Sequence, residues 1–259
     1  MSINNLYYND DLNKIQLILG DSIEVIKKLP AESFDVIFAD PPYFLSNDGV
    51  TCKSGKMVSV NKGFWDKTRS SYEKHKFNFD WISEIKRVLK DTGTIWITGT
   101  LHNIYSVGWA LEQCDFRIIN NITWQKTNPP PNLACKSFTH STETILWACK
   151  ADTKSYYFNY QLMKQLNDGK QMKDVWTSST TPNSEKQYGA FPTQKPIFLL
   201  ERILLASTEE NNQVLDPFCG SGTTGVVCKK LHRKFTGIDE NSRYLDLTIK
   251  RLEHIEFIY

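Results

Sequence analysis

The sequence predicts an α/β fold built on a mostly parallel sheet, and three observations lead there. Lys14–Leu19, Ile23–Leu29 and Phe34–Ala39 follow one another as strand, helix and strand. A unit that short forces its two strands parallel. The pattern returns near the C-terminus, where Asn212–Leu215 runs through a glycine turn into a helix to Leu231 and then the strand Phe235–Ile238. Two of these strands also stop abruptly at Asp-Pro, so acidic groups project from carboxyl ends, the edge where open α/β sheets bind ligands.

Taken in order, Lys14–Leu19 is a short strand, and Gly20-Asp21-Ser22 turns the chain. Ser22 can N-cap the helix Ile23–Leu29, which Pro30 closes. Phe34–Ala39 is an apolar, β-favouring run halted by Pro41-Pro42, because proline cannot continue a ladder. Residues 44–76 carry no sustained periodicity, and Gly49, Gly55 and Gly63 punctuate them. That is too long for a mere connection. Seven Lys/Arg stand there against three acids. A solvated loop could carry that surplus idly, or it could meet a polyanion such as a DNA backbone.

Asn78–Lys90 shows a helical stripe at 81, 82, 85, 88 and 89, ended by Asp91-Thr92-Gly93. Thr94–Thr98 is a further strand and His102–Cys114 a helix. Arg117–Trp124 and Glu143–Ala148 are strands that could form an antiparallel edge, with the rigid Asn128–Asn132 loop between them. Residues 149–194 change character, with Tyr156, Tyr157, Phe158, Tyr160, Trp176 and Tyr188 among lysines. They form either a small recognition insert or a surface excursion that merely packs. Lys195-Pro196 then opens a helix, apolar at 199, 200, 203 and 204, that ends near Ser207.

At 259 residues, with 40% hydrophobic and 23% charged content, the chain suits one large soluble α/β domain or two small ones. No apolar run approaches the ~20 residues that span a bilayer. The N-terminus lacks a secretory pattern, so a cytoplasmic location is expected. Six cysteines show no C-x-x-C pair and no zinc-ligand spacing, so no metal is expected. A net charge of +2 says little about partners.

Chemistry concentrates in two stretches. Asp40-Pro41-Pro42-Tyr43 joins an acid, two rigid carbonyls and a ring at a strand end. This set suits a flat ring with an exocyclic amine: Asp40 and the Pro41 carbonyl can each accept one N–H, and Tyr43 can stack. A turn acid is the plainer alternative. Asp216-Pro217-Phe218-Cys219-Gly220-Ser221-Gly222-Thr223-Thr224 is a strand end, a glycine turn and a helix start. Asp239 ends the next strand 19 residues after Gly220, where an acid commonly grips a ribose diol. Gly220, Gly222 and Gly225 also satisfy G-x-G-x-x-G, so a nicotinamide-dependent dehydrogenase is weighed. Against it, Asp-Pro-Phe-Cys intervenes before the first glycine, and Asp40–Tyr43 would have no work. An adenosyl ligand lacking a pyrophosphate fits better, with Phe218 against adenosine or methionine and Asp216 near the amino-acid end.

This pair of motifs, in this order, resembles the β class of amino-group DNA methyltransferases, over nearly the whole chain. Gly20-Asp21-Ser22 and Pro192-Thr193-Gln194-Lys195-Pro196 match further family motifs, although Phe191 stands where many relatives have His. The stretches 101–113, 120–132, 139–148 and 166–176 look like the accessory GATC adenine methyltransferases of DpnII-type restriction–modification systems.

The resemblance implies a Rossmann-like S-adenosylmethionine-dependent fold with permuted motif order in a single domain, 1–259. Residues 44–76 would be a mobile DNA-contacting loop and 150–194 a target-recognition insert. It implies Asp40, Pro41, Pro42 and Tyr43 as catalytic residues. Asp21, Ser22, Lys195, Asp216, Phe218, Gly220, Ser221, Gly222, Thr223 and Asp239 would hold S-adenosylmethionine. The implied partners are DNA, single- or double-stranded, and a cognate restriction endonuclease, with the enzyme a monomer or homodimer. Adenine N6 is the expected target. Cytosine N4 is the near alternative, although Ser-Pro-Pro-Tyr is commoner in that group. Methylation of RNA or of a protein glutamine, and a DNA-binding relative without catalysis, also remain open.

Overall fold

A computed structural model describes residues 5–44, 50–53, 56–59, 70–189 and 191–254. Nine strands form one sheet. In chain order these are β1 (Leu6–Asp10), β2 (Ile15–Leu19), β3 (Phe34–Ala39), β6 (Leu89–Gly99), β7 (Phe116–Lys126), β8 (Thr142–Lys150), β9 (Val175–Ser178), β10 (Gln213–Asp216) and β11 (Lys234–Asp239). A separate antiparallel pair, β4 (Val50–Lys53) and β5 (Lys56–Ser59), lies between β3 and β6 in the chain. The order across the sheet is β1-β2-β11-β10-β3-β6-β8-β7-β9. The five strands from β2 to β6 in that order are parallel, β8 runs antiparallel between β6 and β7, and β1 pairs antiparallel with β2. The predicted α/β class, mostly parallel with an antiparallel edge, is the observed one.

Among the described residues there are seven α-helices: α1 (Ser22–Ile26), α2 (Ser71–Val88), α3 (Ile104–Gln113), α4 (Tyr160–Gln165), α5 (Ile197–Ser207), α6 (Thr223–Lys230) and α7 (Ser242–Glu253). Alternation along β3 divides the core. Ile37 and Ala39 pack with Trp81, Ile82 and Ile85 of α2 and Val107 and Leu111 of α3. Val36 and Phe38 pack with Leu199, Leu200 and Ile203 of α5 and Val227 of α6. Strands apolar on both faces are those of a buried parallel sheet. Each fully buried Leu or Ile contributes about 1.5–3 kcal/mol relative to exposure.

Three local readings are corrected. Asp21, not Ser22, caps α1: its side chain accepts from Glu24 N–H at 3.0 Å. The Ser22 hydroxyl instead donates to the Pro217 carbonyl, tying the start of α1 to the second motif. α2 begins at Ser71 rather than Asn78, because Ser70 and Glu73 form a reciprocal capping box. The basic stretch therefore ends in helix, and its residues 45–49, 54–55 and 60–69 lie outside the described residues. β1 was not expected; it is an edge strand with Leu6 and Tyr7 exposed, which left no apolar alternation to detect. Segment 150–194 joins the main body through β9, which pairs parallel with β7, and buries Met163 and Trp176. No helix among the described residues is long and apolar enough to cross a membrane.

Candidate active site

β10 and β3 lie side by side at the centre of the sheet. From β3 the chain proceeds to β6 on one side, and from β10 to β11 on the other. That divergence is a topological switch point, and the crevice beyond the strand ends is the expected ligand site. A cavity of about 270 Å³ opens there. Asp40, Pro41, Pro42 and Tyr43 line it together with Asp21, Ser22, Phe218, Gly220 and Asp239. The two motifs, far apart in the chain, share one cavity.

On the second-motif side the turn is built around glycine. Gly220 and Gly222 have φ of +52° and +71°, the left-handed region. A Cβ on Gly222 would come within 2.2 Å of Thr248 Cγ2. Thr248 and Arg251 of α7 brace the turn: Thr248 Oγ1 donates to the Gly220 carbonyl at 3.2 Å, and Arg251 Nη1 to the Ser221 carbonyl at 2.6 Å. Asp239 accepts from Gly220 N–H at 2.9 Å and Asn241 N–H at 2.8 Å. Burial pushes its carboxyl up to about 6. Asp216 is 2% exposed and turns inward, accepting from Phe218 N–H at 3.0 Å and Thr224 Oγ1 at 2.5 Å. Burial pushes it up to about 7. It borders a small inner recess between the two motifs with Ser221, Thr223 and Lys195. Phe218 stands edge-on to Trp81 at 5.4 Å, which fixes its ring in the wall. Phe191 packs against Gly220 and lines the cavity.

On the first-motif side an ion cluster surrounds Asp40. Lys195 Nζ lies 2.5 Å from Asp40 Oδ2 and 3.6 Å from Glu143 Oε2. Thr98 Oγ1 and the Tyr43 hydroxyl donate to Asp40 Oδ1 at 2.5 and 2.7 Å. Lys126 Nζ donates to Glu143 Oε1 at 2.5 Å. Lys195 was expected to hold the cofactor; its ammonium rests on Asp40, while its carbonyl accepts from Thr223 Oγ1 at 3.1 Å. It thus bridges both motifs. Burial alone would lower the Lys195 pKa, but the Asp40 and Glu143 carboxylates outweigh it and hold the group above its usual value. Burial, then the Asp40 and Glu143 charges, push the Tyr43 phenol well above 10, so it is a neutral donor. Burial likewise drives the Cys219 thiol upward, which leaves it no thiolate character.

Thr98, Lys126 and Glu143 escaped the sequence reading. β8 runs against its neighbours, so its first residues lie at the edge where β3 and β6 end; Ala39 pairs with Ile97 and Gly99 with Thr144. Lys126, the last residue of β7, and Glu143, the second of β8, were the available hint, and they gain meaning only once strand order is known.

A family model described as DNA methylase matches residues 34–250. The Type II methyltransferase M2.DpnII of Streptococcus pneumoniae is 62% identical over 248 residues, covering 95% of this chain and 92% of that protein. The crystal structure of the M1.HpyAVI–SAM complex superposes with a TM-score of 0.68 at 28% identity, covering 92% of this chain and 98% of that one. The cytosine-N4-specific PvuII DNA methyltransferase, at 18% identity and a TM-score of 0.77, covers 98% of this chain and 91% of its own, and speaks for the fold alone. The family match runs from β3, which leads into Asp40–Tyr43, to α7, which braces the glycine turn, and the chain belongs to the DNA methylase family, whose cofactor is S-adenosylmethionine.

Proposed function

We propose that the chain methylates the exocyclic N6 of adenine in DNA, at GATC, as the modification enzyme of a Type II restriction–modification system. The observation that carries this reading is the shared cavity: the Asp40–Tyr43 strand end and the Phe218–Gly220 turn open onto one space. The relative M2.DpnII supports the system and, through the resemblance, the GATC target.

The residues fit S-adenosylmethionine. Two glycines at positive φ let the backbone approach a ligand closely. Asp239 keeps lone pairs for a ribose diol after its two backbone bonds. Asp21 and Ser22 would meet the adenine edge, Phe218 the adenosine face, and Asp216, Ser221, Gly222, Thr223 and Lys195 the inner end. When bound, the cofactor supplies a methyl group on a positively charged sulfur, open to in-line displacement.

The chain's own work is positioning and electrostatics. A target adenine must leave the helix stack, at a cost of a few kcal/mol. Tyr43 offers its ring as a stacking face. Asp40, ion-paired with Lys195, accepts one amine N–H, and the Pro41 carbonyl accepts the other. These two bonds draw the nitrogen out of conjugation, so its lone pair faces the cofactor side. Pro42 keeps the strand end rigid. Residues 44–76 would meet phosphate, and 128–138 with 150–190 are the proposed base readers. Phosphate contacts make binding salt-dependent without setting sequence.

The test is base-resolved mapping of modified bases in DNA from cells expressing the chain, beside Asp40→Ala. N6-methyladenine confined to GATC, and lost in the variant, is expected. Methylation at cytosine N4 would replace the adenine assignment, and full turnover by Asp40→Ala would overturn the catalytic one.

A further inference from the structure

The cluster around Asp40 holds a second carboxylate that the reaction outlined above leaves unused. The Glu143 side chain is only 11% exposed. Lys126 holds its Oε1, and its Oε2 lies 3.4 Å from the Tyr43 hydroxyl. The same hydroxyl donates to Asp40 at 2.7 Å. A phenol carries one proton and can serve only one carboxylate fully at a time. Asp40 meanwhile accepts from Tyr43, Thr98 and Lys195, so three of its roughly four lone-pair sites are taken. Thr98 and Tyr43 both donate to Oδ1, so a base amine that takes this oxygen competes with the Tyr43 hydroxyl.

We propose that Glu143 is a positioning residue for Tyr43: as a base amine takes Asp40, the Tyr43 hydroxyl swings its hydrogen bond to Glu143 Oε2. The exchange rotates an O–H and transfers no proton, in keeping with a phenol that burial and two carboxylates keep protonated. It frees Asp40 for the amine and keeps the ring anchored as a stacking face. Lys126 locks Glu143 in the place where it can receive the bond. The proposal rests on the assignment of Asp40 and Tyr43 to the base. The simpler alternative makes Glu143 only a counter-ion for Lys126 and Lys195.

A double-mutant cycle separates the two. The full chain, Glu143→Gln, Tyr43→Phe and the double variant are compared by single-turnover methylation, by cofactor affinity, and by fluorescence of a purine analogue at the target position, which reports unstacking. Glu143→Gln is expected to slow turnover about tenfold with cofactor affinity unchanged, and to cost less than about twofold once residue 43 is Phe. An equal loss in both backgrounds, or no loss in the first, overturns the proposal. Should Glu143→Gln fail to fold, Glu143→Asp keeps the charge and withdraws the oxygen by one methylene. The same coupled loss is expected there, and an uncoupled one overturns it. Asp40→Ala, measured alongside, distinguishes the failures: full turnover in that variant removes the base-site reading itself, whereas an inert Asp40→Ala with an uncoupled Glu143 removes only this role.

Discussion

Replacing Lys195 by methionine isolates the ion pair at the centre of the site. The two side chains are 7% and 14% exposed and 2.5 Å apart, so neither charge is well hydrated. Breaking one side of a buried pair costs about 3–5 kcal/mol, because the remaining charge loses its partner without regaining water. Here Thr98 and Tyr43 still donate to Asp40, and Lys126 still holds Glu143, which places the expectation near the lower bound. For a domain of this size 1 kcal/mol shifts Tm by about 2–4 °C, so a loss near 3 kcal/mol lowers it by roughly 6–12 °C. Adding Asp40→Asn removes the stranded charge while its amide oxygen can still accept from the hydroxyls. The double variant should regain most of the lost Tm and stay inactive. The Lys195 pKa is held above 10.5, so the lysine stays charged through neutral and mildly alkaline pH and its share of the pair is lost only as pH rises beyond that value. The Tm difference should therefore stay constant between pH 7 and pH 9. Thermal melts followed by circular dichroism measure all of this. A Lys195→Met protein melting within about 2 °C of the parent, or one made worse by Asp40→Asn, refutes the reasoning.

Cofactor affinity should fall as pH drops through about 6, because Asp239, raised by burial to that value, loses its charge and a lone-pair acceptor. At pH 5 about one-tenth of it remains ionised, so in titration calorimetry this group alone should weaken Kd roughly tenfold relative to pH 8, and Asp239→Asn should remove that component while leaving the one from Asp216 near pH 7. The cofactor-free fold responds in the opposite sense: the folded state holds this proton more tightly than the unfolded chain does, so the group adds stability as pH falls from about 6 toward its ordinary 3.8. Gly222→Ala should abolish cofactor binding, since its Cβ would meet Thr248 at 2.2 Å on backbone with φ +71°; a calorimetric titration matching the parent would remove the turn from the site. Ser70→Ala deletes the α2 capping box and should cost about 1 kcal/mol in denaturant unfolding, with cofactor affinity unchanged.

The fold class was legible because the signals for it are local. Val36 and Phe38 alternate with Ile37 and Ala39, so the strand is apolar on both faces whatever it packs against. Pro41 and Pro42 end it by removing backbone donors. Where the expectations missed, the signal was either present and overlooked or not local at all. Ser70 and Glu73 announced the start of α2 three residues apart. The edge strand β1 turns only Tyr8 toward the core, too little to announce an apolar face, and Asp21 caps α1 while the Ser22 hydroxyl has a partner in Pro217, 195 residues away.

The amino-acid sequence by itself determined two acid-bearing strand ends, one stopped by prolines and one turned by glycines, because both are constraints on a residue's own backbone. Only the tertiary structure decided that they share a cavity, since that depends on β10 lying beside β3. It also decided the charge environment of Asp40. Lys126, Glu143 and Lys195 come from the end of β7, the start of β8 and the approach to α5. They meet because β8 runs backwards and delivers its first residues to the edge where its neighbours finish. Electrostatic pairing acts through space at a few ångströms, and the linear order of a chain carries no record of such distances until the strands are arranged.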